Sequence, residues 1–277
     1  MPAWAREDRF AHGVLWRVTK AGQAASHLFG TLHEPDARLV KLPASVQAAF
    51  EGSRSLLVEF LPDPYTRERF AEAALFLDRQ TLEEKIGAED FARALDQLAP
   101  IGLRREFVMK LKPWGVLINL RRSVSADAPP SLEAQLVARA RARRLAIAQI
   151  EGVEEQIFTF DECPMESQVA LLKHSLAHRD ELIELSHATL QAYLARDLAA
   201  IWQLREAFIA RYPQVAVHQA VMTKRVLHDR SVVMAYRMQR ELRRGDAFVA
   251  LGALHLYGPH GVLALLEGDG YHAARAF

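Results

Sequence analysis

The chain has 277 residues, of which 50% are hydrophobic and 25% are charged, and its 35 basic and 34 acidic side chains give a net charge of +1. This mixture is typical of a globular protein and does not indicate nucleic acid or an anionic membrane surface as a partner. The single cysteine, Cys163, excludes an intrachain disulfide, and no apolar run approaches the roughly 18 residues of a membrane span.

The N-terminus lacks the apolar segment of a secretory signal peptide. We therefore expect a cytoplasmic protein, with a removed targeting segment as the open alternative. The length suits one large domain or two small ones. The elements described next favour a single domain over residues 1–277, and they do not define an oligomeric state.

The first elements are predicted from two apolar runs around a turn. "GVLWRVTK" and "ASHLFGTLH" flank the turn-prone "AGQ", which indicates a β-hairpin. "PASVQAAFEG" has apolar residues at helical spacing between a proline and a glycine, so a short helix follows. "RSLLVEF" then predicts a buried strand that ends in the carboxylate of Glu59.

Two long helical insertions are predicted, at about residues 64–145 and 153–245, because apolar residues recur there three and four positions apart. Between them, "LAIAQIEG" is a compact apolar run that predicts a strand followed by Glu151. After the second insertion, "DAFVALGALH" predicts a strand, "GPHGVLALLEGDG" a helix and "YHAARAF" a last strand.

These elements predict an α/β (α+β) fold with a central mixed sheet built from N-terminal, middle and C-terminal strands. The sequence Gly-x-Leu-His occurs twice, ending at His33 in "LFGTLH" and at His255 in "ALGALH". We call these the two GxLH motifs. Each has an apolar strand before it and a loop, short helix and strand after it, so we expect pseudo-repeated units related by approximate two-fold symmetry.

The two motif histidines are candidate site residues because ligand sites of α/β sheets form where strands end. Glu59 and Glu151 also follow predicted strands, so His33, His255 and the two glutamates are expected to converge. Two imidazoles with carboxylates suit zinc, manganese, cobalt or iron.

Other candidates are weaker. His174 and His178 share a helix face, but Ser175 stands where an H-E-x-x-H motif has glutamate. His260 follows His255 closely and is a candidate for the same cleft. We interpret Cys163 as a buried apolar residue and the arginine-rich residues 139–144 as a solvated helix face, with a docking patch as the alternative.

Five sequence blocks, in order, resemble the TraB/GumN (PrgY-like) family, which is related to the Tiki metalloproteases and more distantly to the erythromycin-esterase-like and ChaN-like proteins. The blocks are "HLFGTLHEPDARLVKLPASVQAAFEGSRSLLVEF", "LKPWGVL", "SLEAQLVARARARRLAIAQIEGVEEQIFTFD", "VLHDRSVVMAYRMQREL" and "FVALGALHLYGPHGVLALLEGDGY". The resemblance implies that His33, Glu59, Glu151, Arg230 and His255 surround one cleft.

The chain departs from the family pattern at two places of interest. Ser231 stands where relatives commonly have asparagine, which puts an amide hydrogen bond in doubt, and Val153 replaces a usual threonine. In relatives the middle block reads roughly Leu-Asp…Ala…Leu-Glu-Thr-x-x-Glu-Gln, so Ile150-Glu151 stands here where relatives have Leu-Glu.

The resemblance implies a metal-dependent, peptidase-like hydrolase of an amide or ester in a peptide or small molecule. His33, His255 and Glu59 or Glu151 would hold a divalent ion (Mn, Co or Zn) that activates water. The other glutamate would be the general base, and Arg230 would stabilise an oxyanion or hold a substrate carboxylate. One alternative is a metal-free hydrolase in which His33, oriented by Glu59, activates water. Another is a non-catalytic peptide-binding or inhibitory protein, whose cleft binds a peptide and sequesters it.

Overall fold

One mixed β-sheet organises the residues that the computed structural model describes, which are 8–34, 36–61, 63–120 and 130–277. Its order is β4-β3-β5-β2-β1-β6. The strands are β1 (Leu15–Thr19), β2 (Ser26–Thr31), β3 (Ser55–Val58), β4 (Ala146–Gln149), β5 (Ala247–Gly252) and β6 (His272–Arg275). Neighbours among β4, β3, β5 and β2 pair in parallel, whereas β1 is antiparallel to both β2 and β6. The predicted mixed sheet from both ends and the middle of the chain is confirmed.

The centre of the sheet is made by residues that are distant in the sequence. β5 lies between β2 and β3, with Gly30 opposite Leu251 and Val58 opposite Ala250. All residues of β5 up to Leu251 are buried. A strand that is apolar on both faces needs cover on both faces, which the helices provide.

The first helical insertion is confirmed over its described residues, and residues 121–129 lie outside them. Gly87, with φ of +84°, separates two of its helices, and Pro113 begins another. The helices from the first hairpin to β4 are α1 (Ala37–Val40), α2 (Ala44–Glu51), α3 (Pro64–Ala73), α4 (Leu82–Ile86), α5 (Ala88–Leu98), α6 (Arg105–Lys110), α7 (Pro113–Asn119) and α8 (Leu132–Ala142).

The second insertion is also helical, but it contains a feature that the sequence did not predict. A π-helical segment, Lys224–Asp229, joins α13 to α14, and its wider turn displaces the backbone carbonyls that follow. The remaining helices are α9 (Val153–Asp161), α10 (Met165–Ala177), α11 (Arg179–Leu194), α12 (Leu198–Ala210), α13 (Pro213–Thr223), α14 (Arg230–Arg244) and α15 (Val262–Gly268). No helix of the described ranges combines the length and apolar character needed to cross a bilayer.

Two apolar clusters stabilise the fold. One lies on the sheet and includes Phe50, Phe248 and Met234, and the other joins α3–α7 to α9 and α10 around Trp114 and Leu172. The two insertions therefore share an apolar cluster separate from the one on the sheet. The single-domain organisation and the pseudo-symmetry of the two motif units remain predictions, although both units run strand, loop, helix, parallel strand.

Gly30 of the first GxLH motif lies against the turn of the second motif. A Cβ at position 30 would be 2.9 Å from both Cα of Ala253 and Cδ1 of Leu256. We expect Gly30→Ala to lower the free energy of unfolding by about 1–3 kcal/mol through overpacking. Urea unfolding checks this, with Gly268→Ala as control because no atom lies within 4 Å of that Cβ. Equal losses in the two variants would contradict the predicted close packing of the motifs.

Candidate active site

The four parallel strands place the predicted site residues along one edge of the sheet. Glu59 directly follows β3, Glu151 follows β4 by two residues, and His33 follows β2 by two. His255 ends a 3₁₀ turn, Ala253–His255, that directly follows β5. Because parallel strands share a carboxyl edge, four segments from distant parts of the sequence meet there.

Glu59 is held at this edge by two donors from other elements. The backbone N–H of Gly252 donates to Oε1 at 2.6 Å, and Nη2 of Arg230 donates to Oε2 at 2.5 Å. Burial opposes a charge on this carboxylate, but the positive charge available on His255, the Arg230 guanidinium and the Gly252 hydrogen bond hold its pKa at about 2. At neutral pH Arg230 supplies the compensating charge, because His255 is then neutral, as shown below.

Glu151 shares the same guanidinium. Arg230 donates from Nη2 to Oε2 at 2.7 Å and from Nε to the same oxygen at 3.1 Å, and Gln156 adds a hydrogen bond of 2.7 Å. Arg230 and both carboxylates are buried. Burial disfavours the charge on Arg230, yet the two glutamates raise the pKa of its guanidinium. The three side chains form a buried Glu59–Arg230–Glu151 bridge that crosses from β3 to β4.

The π-helical segment explains why Arg230 reaches both glutamates. Arg230 begins α14 directly after this segment, and its Nη1 donates to the carbonyl of Val226 at 3.2 Å. The carbonyl of Leu227 is a hydrogen-bond partner of the His255 ring. Two carbonyls of the π-helical segment thus accept hydrogen bonds from site side chains, and π-helical turns are frequent at functional sites.

His255 is fixed by the next residue of the same helix. Its Nδ1 lies 2.8 Å from Oγ of Ser231, so a hydroxyl occupies the position in which relatives commonly have an amide. Burial lowers the pKa of His255 to about 4, although the charge of Glu59 opposes the shift. His255 is therefore a neutral imidazole at pH 7.

His33 has the same motif but a different environment. Its side chain is 59% exposed, and its Nδ1 lies 3.3 Å from Oε2 of the buried Glu133. Partial desolvation of the ring opposes a charge, but the contact with Glu133 and the charges of Glu133 and Glu59 raise the pKa of His33 to about 9. At pH 7 this histidine is an imidazolium, so the two motif histidines carry different charges.

Glu133 is the site residue that the sequence prediction missed. It lies in the first turn of α8, where Ser131 caps the helix by accepting a hydrogen bond from the N–H of Ala134. Its position in "SLEAQL" corresponds to the acidic residue of the family's Leu-Asp pattern, which was the available signal. The metal-free alternative takes Glu59 as the carboxylate that orients His33, whereas the carboxylate beside Nδ1 of His33 is that of Glu133.

The weaker histidine and cysteine candidates have partners other than the site residues described above. His260 packs against His228 of the π-helical segment, with ring centroids 4.7 Å apart. His174 and His178 stack at 4.3 Å beside Tyr212 in the helical insertion. Cys163 is buried, and burial raises the pKa of its thiol, which suits the apolar role expected for it.

The donor types at the edge suit a divalent ion, but their arrangement does not. Both carboxylates are already bonded to Arg230, and a cation beside this guanidinium would be repelled by its charge. Within the described ranges, no three His, Cys, Asp or Glu side chains are grouped closely enough to hold a metal. As they lie here, the expected ligands His33, His255, Glu59 and Glu151 do not fit a metal site.

A cavity of about 660 Å³ lies away from this edge. It is lined by residues of α5, α10 and α11 and of the segments between them, including Gln97, His178 and Arg179. Large pockets are the default candidates for ligand sites. Here the buried charges and the shifted pKa values occur elsewhere, so the strand edge is the stronger candidate.

Comparisons with known proteins agree with the residue pattern. The chain is 24% identical over 246 residues to the uncharacterized protein YbaP of Shigella flexneri, with 87% of each chain covered. YbaP of Escherichia coli (strain K12) gives the same identity and coverage. No solved structure matches significantly. The sequence profile of the TraB/PrgY/gumN family matches residues 14–275. This chain therefore belongs to the TraB/PrgY/gumN family.

Proposed function

We propose that the chain is a hydrolase of amide or ester bonds in peptides or small molecules, and that water is activated at the carboxyl edge of the parallel strands. The observation that carries the proposal is the buried Glu59–Arg230–Glu151 bridge beside two histidines of different charge. A buried bridge of this kind is weak evidence for a stabilising role, because apolar residues in its place often make the protein equally stable or more stable. Charged groups with shifted pKa values are typical of catalytic sites.

The two histidines support a division of acid and base roles. His255 is neutral at pH 7 and would take a proton from water through the Ser231 hydroxyl on its Nδ1, and the nearby charge of Glu59 would stabilise the imidazolium that forms. His33 is protonated and partly exposed, so it can donate a proton to the leaving group. Groups whose environments separate their pKa values in this way are the usual acid–base pairs of enzymes.

Arg230 has a positioning role in this proposal. Its guanidinium is engaged by Glu59, Glu151 and the carbonyl of Val226. It orients both carboxylates and sets the local charge, rather than holding a substrate carboxylate. No step is assigned to a metal, because the carboxylates are committed to Arg230.

A chelator experiment tests this mechanism against the metal-dependent one that the resemblance implies. We expect the wild-type protein to hydrolyse members of a panel of fluorogenic peptides and aryl esters at rates unchanged by EDTA or phenanthroline. Activity that is lost with chelator and restored by manganese, cobalt or zinc would instead support the metal-dependent hydrolase. Saturable peptide binding without turnover of any substrate would contradict hydrolysis and support a binding or inhibitory protein.

A further inference from the structure

We propose that Glu133 is a positioning residue of the candidate active site, and that its buried carboxylate orients the His33 imidazole through Nδ1 so that Nε2 is left for the substrate. The inference rests on the proposed function for its catalytic meaning. The placement of His33 by Glu133 can be tested without a substrate.

Glu133 is buried without the hydrogen bonds that such a carboxylate normally has. Neither Oε1 nor Oε2 has a hydrogen-bond partner of good geometry, and the same holds for the buried Oγ1 of Thr31. Buried polar groups of this kind are costly, and each needs an explanation. The closest charged group is His33 Nδ1, at 3.3 Å from Oε2. Catalytic contacts are often this long before the substrate binds.

The geometry makes Glu133 the fixed member of the pair. It belongs to the first turn of α8, whose residues Leu132 and Leu136 are buried in the sheet cluster. The positive end of the helix dipole favours a carboxylate there. His33, in contrast, lies in the irregular segment after β2 and is exposed. A carboxylate fixed by its helix beside an exposed imidazole sets the orientation of the imidazole, as in catalytic triads.

The other nearby carboxylates have different partners. Glu34 accepts a hydrogen bond of 2.7 Å from Ser186 of α11. Glu59 accepts from Gly252 and Arg230. Glu133 is therefore the carboxylate that the structure assigns to His33, just as Ser231 is the partner of His255. Each GxLH histidine has its own Nδ1 partner from a helix of an insertion.

Histidine NMR on Glu133→Gln tests the proposal, because glutamine keeps the shape of the side chain but removes its charge. Resonances of the wild-type protein are assigned to His33 by their loss in His33→Asn. We expect the pKa of His33 to lie well above its ordinary value in the wild-type protein and to fall by more than about one unit in Glu133→Gln, since an ion-pair partner is lost. Arg139→Gln, on the exposed face of the same helix, is the control and should leave the pKa of His33 unchanged.

Activity provides a second readout. Removal of a partner that orients a functional histidine typically costs about 10–100-fold, so kcat/KM of Glu133→Gln should fall by that amount with the fold intact by circular dichroism. Glu133→Asp, which retains the charge, should restore part of the His33 pKa and of the rate.

Two results would overturn the proposal. One is a wild-type His33 with an ordinary pKa, a measurement that does not depend on whether any variant folds. The other is a folded Glu133→Gln protein in which the pKa of His33 is unchanged. A large pKa shift in a protein that hydrolyses no substrate would instead support the Glu133–His33 pair and contradict the proposed function.

Discussion

Alanine at His33 should reduce kcat for a hydrolysed peptide or ester by about 10²–10⁴-fold, the usual contribution of a general acid or base. The fold should survive, because the side chain is 59% exposed and little apolar area is removed. Alanine at His255 should reduce kcat by a similar factor, but it also leaves Ser231 and the Leu227 carbonyl without their buried partner. We therefore expect the loss of these two contacts to lower the stability of the His255 variant by about 1–3 kcal/mol.

Steady-state kinetics and thermal unfolding of both variants check this prediction. His272→Ala is a suitable control, because His272 is the exposed first residue of β6, the edge strand at the opposite end of the sheet from β4. Its activity should equal that of the wild-type protein. Wild-type rates in the His33 and His255 variants would remove both histidines from the mechanism, whatever their contacts.

Arg230→Met should be the most destabilising single substitution at the site, with a loss of about 3–5 kcal/mol in the free energy of unfolding at pH 7. The reason is that Glu59 and Glu151 would remain buried without a compensating cation. Urea unfolding measures the loss. Neutralising the partners as well, in Arg230→Met with Glu59→Gln and Glu151→Gln, should recover much of it because no unpaired charge is left.

Arg237→Met is the matched control. Arg237 lies two turns further along α14 and pairs with Glu155, but both side chains are about two-fifths exposed, at 39% and 43%. A solvent-exposed pair contributes about 0–1 kcal/mol, so this variant should be much closer to the wild-type protein. If Arg230→Met and Arg237→Met lost equal free energies of unfolding, the predicted cost of leaving Glu59 and Glu151 buried without a cation would be contradicted.

The stability difference between Arg230→Met and the wild-type protein should narrow as the pH falls from 7 toward 3. In the wild-type protein the pKa of Glu59 is about 2, below its ordinary value of 4.5, so its contribution is present above pH 4.5 and is lost as the pH falls toward 2. In the variant Glu59 is buried without a cation, so its protonation at low pH removes the cost of burying its charge. Urea unfolding at several pH values checks the trend, and a constant difference would contradict it.

Local patterns were sufficient to predict the strands and the residues that end them. Alternating or compact apolar runs bounded by turn residues located all six described strands, and the glutamates and histidines that follow four of them could be read directly from the chain. These features are local, because a strand's apolar pattern and the residue after it do not depend on the partner strand. The resemblance to the family added Arg230, whose helix carries no strand-end signal.

Only the tertiary structure decided which of these residues contact one another and which of them are charged. The order β4-β3-β5-β2 puts Glu59 between Glu151 and His255, and the π-helical segment brings Arg230 between the two glutamates. The two GxLH motifs follow the same pattern, yet His255 is buried and neutral whereas His33 is exposed and charged. Burial and neighbouring charges set the pKa of a histidine, and a four-residue motif determines neither of them. Glu133 became a site residue for the same reason: its distance to His33 results from packing between elements about a hundred residues apart in sequence, where loop closure leaves no local pattern.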